Sequence, residues 1–367
     1  MSEVTKYYVI AGEPSGDLHG AHLIRALVQR TPNATFRAWG GDKMAVEGAE
    51  IVTHYREMAF MGFVEVLQNI FTILGLMRKC KADILAYQPD VLILIDYPGF
   101  NMRIAKFAKA NGIKVAYYIA PQVWAWKENR VAKLKKSTDI MLVILPFEKD
   151  FYAKHRMSVE YVGHPLLDHL QPAQSTEQVS DAPSIALLPG SRKQEIGKIL
   201  PEMLEVAARF PNATFTIGMA PSQDVAFYKS ILKEMKGVSL YEGTTYDLLR
   251  NADAALVTSG TATLETALIG LPQVVCYKTS VISYRLARFF IKIKYISLVN
   301  LIADRVVVTE LIQGDLNADR IESELTAILQ PDTRKRMFED YAEIRALLGG
   351  GGASERAADA VIKLLRG

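Results

Sequence analysis

Short apolar runs alternate with longer stretches of helical periodicity along the chain. Strands are predicted at Tyr7–Ala11, Asp90–Ile95, Lys114–Ile119, Ile140–Leu145 and Glu160–Val162, then at Ile185–Leu188, Thr214–Ile217, Ser239–Tyr241, Ala254–Val257 and Gln273–Cys276. Several are apolar at every position, as strands buried on both faces of a parallel sheet are. Their alternation with helices predicts right-handed βαβ units and open parallel sheets. Gln171–Pro183 carries Pro, Ser, Gln and Asp without apolar period, the composition of a linker. Each half opens with a strand that runs into a Gly-containing turn, Gly12-Glu13-Pro14-Ser15-Gly16 in the first and Pro189-Gly190-Ser191-Arg192 in the second. The expected fold is therefore α/β, with two Rossmann-like doubly wound domains, 1–170 and 171–345. Their strands' carboxyl ends are expected to face an interdomain cleft. After the glycine run Gly349–Gly352, the segment 346–367 ends in a helix, expected to be capped by Ser354 with Glu355 in its first turn.

A length of 367 residues suits two domains. Half the residues are apolar and 23% are charged, which excludes a disordered chain. With 43 basic and 40 acidic residues the net charge is only +3, too balanced to mark a nucleic-acid binder. The two cysteines, Cys80 and Cys276, form no CxxC pair, so a disulfide framework or zinc ribbon is disfavoured and a reducing compartment fits. Residues 1–6 lack the basic and apolar regions of a signal peptide. No uninterrupted apolar run reaches the ~18 residues of a membrane span.

The chemistry concentrates at strand ends. Ser191 and Arg192 follow Gly190 where a helix should begin, and free N–H groups at a helix start favour phosphate. Arg192 adds a permanent charge able to bind two oxygens at once. Thr258-Ser259-Gly260-Thr261 repeats the arrangement, with Glu265 in the early helix, within reach of sugar hydroxyls or simply complementing the dipole. Two such turns in one domain suit a diphosphate. Neither is a Walker sequence or GxGxxG, which disfavours a P-loop or dinucleotide oxidoreductase. In the first half, Asp96 ends a buried strand and faces the ligand crevice of such a fold, as a candidate general base or as a helix cap. Glu13, Ser15 and Asp17 are candidates for substrate hydroxyls. His19 and His22 lack an evident third metal ligand. Trp124 and Trp126 wall a pocket or plug the top of the sheet.

Residues 62–79 form a helix pattern of unusual greasiness. Glu65, Gln68, Asn69 and Thr72 share one narrow stripe, and Phe63, Val66, Leu67, Ile70, Phe71 and Leu74 fill much of the rest. Such a helix is buried in protein or in something else apolar. The basic flank Arg78 and Lys79 favours an anionic lipid surface, and the apolar, basic run Tyr284–Tyr295 adds to that tilt.

Eight strings, in order, resemble lipid-A-disaccharide synthase over nearly the whole chain. They are Gly12-Glu13-Pro14-Ser15-Gly16-Asp17, Met61-Gly62-Phe63-Val64-Glu65-Val66-Leu67, Pro121-Gln122-Val123-Trp124-Ala125-Trp126, Leu145-Pro146-Phe147-Glu148, Val162-Gly163-His164-Pro165, Leu187-Leu188-Pro189-Gly190-Ser191-Arg192, Ser259-Gly260-Thr261-Ala262-Thr263-Leu264-Glu265 and Ser297-Leu298-Val299-Asn300. The resemblance implies a GT-B glycosyltransferase that joins UDP-2,3-diacylglucosamine to 2,3-diacylglucosamine 1-phosphate (lipid X), inverting the anomeric carbon and releasing UDP. It implies no metal or other cofactor. By resemblance Asp96 deprotonates the acceptor 6-hydroxyl, and a carboxyl of ordinary pKa suffices for that. Arg192, Ser191 and the Thr261 turn hold the diphosphate, Glu265 binds the ribose, and Asn300, Glu310 and Gln313 complete the donor site. The greasy helix then docks on the cytoplasmic face of a Gram-negative inner membrane, where both acylated substrates lie. No nucleic-acid partner is expected. Many family members carry a second Asp where this chain has Gly99. The same fold serves UDP-GlcNAc 2-epimerases and the peptidoglycan transferase, and a non-catalytic nucleotide-sugar binder is a further alternative.

Overall fold

The structure, a computed structural model, describes residues 4–58, 69–173, 179–233, 235–290 and 293–367. The chain divides into two compact units, Met1–Asp168 with Gly350–Gly367, and His169–Gly349. Residues 174–178 of the Gln171–Pro183 linker segment lie outside the described residues.

In the first unit the strands are β1 (Lys6–Ala11), β2 (Thr35–Gly40), β3 (Glu50–His54), β4 (Val91–Ile95), β5 (Lys114–Tyr118), β6 (Ile140–Val143) and β7 (Glu160–Tyr161). They form one sheet in the order β3-β2-β1-β4-β5-β6-β7, parallel throughout. The second unit holds β8 (Ser184–Leu188), β9 (Thr214–Gly218), β10 (Val238–Tyr241), β11 (Ala254–Thr258), β12 (Gln273–Tyr277) and β13 (Glu310–Ile312). Its sheet, also parallel, runs β10-β9-β8-β11-β12-β13. Strands β2, β3 and β13 were not predicted. Arg37 interrupts β2, β3 is only partly buried, and β13 spans three residues, so none presents a continuous apolar run.

The two-residue period of a strand explains the first core. Tyr7, Val9 and Ala11 face Leu23, Ile24 and Leu27 of the helix Pro14–Arg30 and Ala357, Ala358, Val361 and Ile362 of the helix Ala353–Arg366. Tyr8 and Ile10 face the other way, towards Ile84 of the helix Ile70–Tyr87 and Ile104 and Ala108 of the helix Pro98–Ala110. The last helix of the chain thus completes the first unit. Its start is not capped by Ser354 as expected. Asp168 supplies the cap, accepting from the N–H groups of Gly352 (2.7 Å), Ala353 (3.1 Å) and Ser354 (3.2 Å) and from the Ser354 hydroxyl (3.1 Å). A carboxylate there satisfies orphan donors and complements the helix dipole.

Both sheets reverse their winding at one point, between β1 and β4 in the first and between β8 and β11 in the second. Ligand crevices of open α/β sheets form at the carboxyl ends beside such reversals. Asp96, Glu13, Ser15, Asp17, Ser191, Arg192, Thr261 and Glu265 follow those four strands, whereas Asn300, Glu310 and Gln313 lie at or near β13.

Of the greasy segment, Phe63, Val66 and Leu67 lie outside the described residues. The rest of it opens the helix Ile70–Tyr87. There Ile70, Leu74 and especially Phe71, 85% accessible, are exposed, and Met77 is the first buried residue. Arg78 and Lys79, one turn beyond Leu74, are exposed. Among the described residues no helix is long and apolar enough to cross a membrane.

Candidate active site

In the first unit, β1 and β4 pair directly, so the turns after them are neighbours. Gly12 makes this possible, since a Cβ there would fall 2.4 Å from the Tyr97 ring. The β4 turn is strained. Asp96 (φ +44°) and Tyr97 (φ +48°) are successive left-handed residues, a conformation that costs a non-glycine residue roughly 1–2 kcal/mol. The fully buried Asn101 and Tyr117 hold it in place. Asn101 Nδ2 donates to the carbonyls of Asp96 (2.8 Å) and Ile95 (3.2 Å), and the Tyr117 hydroxyl donates to the Asp96 carbonyl (2.7 Å). Strain secured in this way clusters at functional positions.

The Asp96 carboxyl departs from the ordinary pKa expected of it. Burial and the nearby negative charge of Glu13 push it up to about 7, against a hydrogen bond from the Tyr97 backbone that favours the ionised form. Glu13 itself is half-buried and precedes the helix Pro14–Arg30, and Ser15 stands exposed in that helix's first turn. Asp17 is buried and turned into the protein, accepting from the backbone N–H groups of Gly41 (2.7 Å), Lys43 (3.1 Å) and Met44 (3.2 Å), so it organises the turn after β2.

In the second unit, Leu188 of β8 lies opposite Val257 of β11, which puts the two phosphate-type turns side by side. Gly190 adopts φ +110°, and a Cβ on it would press on Glu195 at 3.0 Å. The Ser191 carbonyl accepts from Gln223 Nε2 (3.0 Å). Arg192 is exposed at the start of the helix Lys193–Ala207, with Nη1 3.3 Å from Glu195. The helix Thr261–Ile269 begins just after Gly260, with Thr261 exposed at its tip. Beneath it the buried Thr258 hydroxyl has no hydrogen-bond partner among the described residues. Glu265 is half-buried and accepts from the Tyr246 hydroxyl (2.8 Å), and burial raises its pKa.

Asn300, Glu310 and Gln313 are hydrogen-bonded within the second unit. Asn300 and Glu310 share one network, and Gln313 bonds separately to Thr279. Asn300, buried, accepts from the N–H groups of Val307 (2.8 Å) and Val308 (3.0 Å) and donates to the Val308 carbonyl (2.9 Å) and Glu310 (2.9 Å). Glu310 gathers the N–H groups of Ile296 (3.0 Å) and Ser297 (2.9 Å) and the Ser297 hydroxyl (2.8 Å). Gln313 accepts from Thr279 N–H at 2.7 Å. Ser259 ties this network to the phosphate-type turn, its hydroxyl donating to the Ile296 carbonyl (2.9 Å).

The two-sheet architecture is that of the GT-B class. Over 99% of this chain and 100% of the other, it resembles the crystal structures of UDP-GlcNAc 2-epimerase from Neisseria meningitidis (TM-score 0.68, 16% identity) and of the glycosyltransferase of kitacinnamycin (TM-score 0.66, 16% identity). Sequence narrows the class. The lipid-A-disaccharide synthetase family profile matches residues 7–363. The lipid-A-disaccharide synthase of Syntrophus aciditrophicus is 43% identical over 98% of this chain and 97% of its own length, and that of Myxococcus xanthus 41% identical over 100% and 99%. The chain belongs to the lipid-A-disaccharide synthetase family and is a glycosyltransferase of lipid A biosynthesis.

Proposed function

We propose that the chain transfers the sugar of UDP-2,3-diacylglucosamine to the 6-hydroxyl of 2,3-diacylglucosamine 1-phosphate, with Asp96 as general base. The observation that carries this reading is the Asp96 carboxyl itself. It stands at the reversal point of the first sheet, on a strained turn, with a pKa raised to about 7 by burial and Glu13. A base is most effective when its pKa lies near the working pH.

In the step, Asp96 takes the proton of the acceptor hydroxyl as its oxygen attacks the anomeric carbon. The bond from that carbon to the diphosphate breaks on the opposite face, and the electron pair leaves with UDP, inverting the configuration. Arg192 and the free N–H groups at the starts of the two paired helices receive the charge that builds on the diphosphate, with Ser191 and Thr261 as further contacts. Glu265 meets the ribose. Glu13 raises the basicity of Asp96 and, with Ser15, meets acceptor hydroxyls. Asn300 and Glu310 act at one remove, by fixing the segment 296–300 that Ser259 grips, and Gln313 fixes the turn at Thr279. Ile70, Phe71 and Leu74, with Arg78 and Lys79, dock the enzyme on the cytoplasmic leaflet that holds the acylated substrates.

The test is a mass-resolved assay in nonionic detergent micelles with both substrates. The expected products are the disaccharide 1-phosphate and UDP, and Asp96→Asn abolishes turnover while UDP binding stays unchanged. Full activity of Asp96→Asn would overturn the mechanism, and UDP release without disaccharide would overturn the acceptor.

A further inference from the structure

The loop after β5 carries a cationic group that the reaction scheme above leaves unused. Lys127 Nζ lies 4.0 Å from the centroid of the Trp126 ring, and the Arg130 guanidinium 5.7 Å from it. Arg103 belongs to the helix Pro98–Ala110, which packs against the helix Val131–Ser137 that continues from this loop. Its Nη1 donates to the Gly99 carbonyl at 2.8 Å, three residues from Asp96. Among the described residues no carboxylate lies within ion-pair distance of Arg103, Lys127 or Arg130. The one acid inside the loop, Glu128, is turned away to His155 at 2.9 Å. Lys127 holds a left-handed backbone (φ +88°), and Trp126 is 42% accessible.

A surface charge run normally points its ends apart into water. Lys127 and Arg130 are instead gathered over one ring, with the charge of Arg103 acting on Arg130 and no carboxylate paired to any of the three among the described residues. Burial and the charge of Arg130 lower the pKa of Lys127, and burial and the charge of Arg103 lower that of Arg130. An anion placed among them relieves that repulsion. Its position is also specific. Strands β4 and β5 pair directly, so the loop emerges beside the Asp96 turn. Arg130 also acts by charge on Tyr117, whose hydroxyl holds the Asp96 carbonyl.

We propose that Lys127 and Arg130, held over Trp126, together with Arg103 of the neighbouring helix, bind the phosphomonoester of the acceptor sugar and so orient its hydroxyl towards Asp96. The proposal rests on the acceptor assigned above. A phosphomonoester carries a charge of about −1.5 to −2 at neutral pH and three acceptor oxygens, which suits a group of three cations. A phospholipid headgroup offers the related phosphodiester, and the experiment separates the two.

The full-length enzyme, with Arg130→Gln, Lys127→Gln and the double variant, is assayed in nonionic micelles that contain no anionic lipid. Each substitution is expected to raise the acceptor KM about tenfold, a loss of about 1.4 kcal/mol, and to leave the donor KM within about twofold. Glucosamine 1-phosphate, used as a soluble probe, is expected to inhibit competitively against the acceptor and to lose potency by the same factor in each variant. An unchanged acceptor KM and unchanged probe potency overturn the proposal. So does a rise in donor KM of equal size, or a defect confined to the binding of anionic phospholipid vesicles. If the wild-type protein forms no disaccharide, the functional reading fails, whereas calorimetric binding of glucosamine 1-phosphate still tests the cluster. Binding that the double variant retains in full refutes it there as well.

Discussion

Asp96 stands in a place that favours its neutral form, so replacing it should separate stability from activity. Its pKa rises from 3.8 to about 7 on folding. Ionising it at high pH therefore costs the folded state about 4 kcal/mol, since one pKa unit is about 1.36 kcal/mol. The folded protein holds this proton more tightly than the unfolded chain does. The stabilising contribution is accordingly full below the unfolded pKa and is lost as pH rises through about 7. Between pH 5.5 and pH 8 the linkage relation gives a loss of about 2 kcal/mol. Asp96→Asn removes the titration and keeps a residue that tolerates φ > 0. Its melting temperature relative to wild type should improve between those two pH values by about 4–8 °C for a unit of this size. Calorimetric melts of both proteins at both pH values measure this, and any constant effect of the asparagine cancels in the difference. An offset that does not change with pH would refute the reasoning, even if the variant is inactive.

The same pKa sets the rate profile. With about 9% of Asp96 ionised at pH 6 and about 91% at pH 8, kcat/KM for the acceptor should rise roughly tenfold across that range, and Glu13→Gln should move the rise to lower pH. A profile that is flat in both proteins would exclude Asp96 as the base. Asn300→Ala strips partners from the buried N–H groups of Val307 and Val308 and should destabilise the second unit by about 3 kcal/mol in denaturant melts. A cost under about 1 kcal/mol would show that the network is not structural. The Phe71→Ser, Leu74→Ser double variant should bind anionic vesicles at least about a hundredfold more weakly, because each apolar side chain entering the bilayer contributes roughly 1.5–3 kcal/mol. Turnover on micellar substrate should persist, and undiminished vesicle binding would remove these residues from the docking surface.

The amino-acid sequence determined the architecture because the central strands β1, β4, β8 and β11 are buried on both faces and must be apolar at nearly every position. It also marked Asp96, Ser191, Arg192, Thr261 and Glu265 at strand ends, since parallel topology sends every carboxyl end to one edge of its sheet. It did not reveal β2, β3 or β13, whose mixed or brief patterns become strands only by pairing with a neighbour already in place. Nor did it separate exposed polar residues from inward-turned ones. Asp17, Asn300, Glu310 and Gln313 have the composition of a binding site, yet their oxygens are taken up by backbone N–H groups brought close by the fold. Asn101 and Tyr117, which hold the strained Asp96 turn, stood in plain view without a signal. The raised Asp96 pKa likewise needed Glu13 from another strand's turn. Periodicity is a local property and sequence carries it, whereas hydrogen-bond partners and desolvation are set by residues distant along the chain, and only the tertiary structure assigns those.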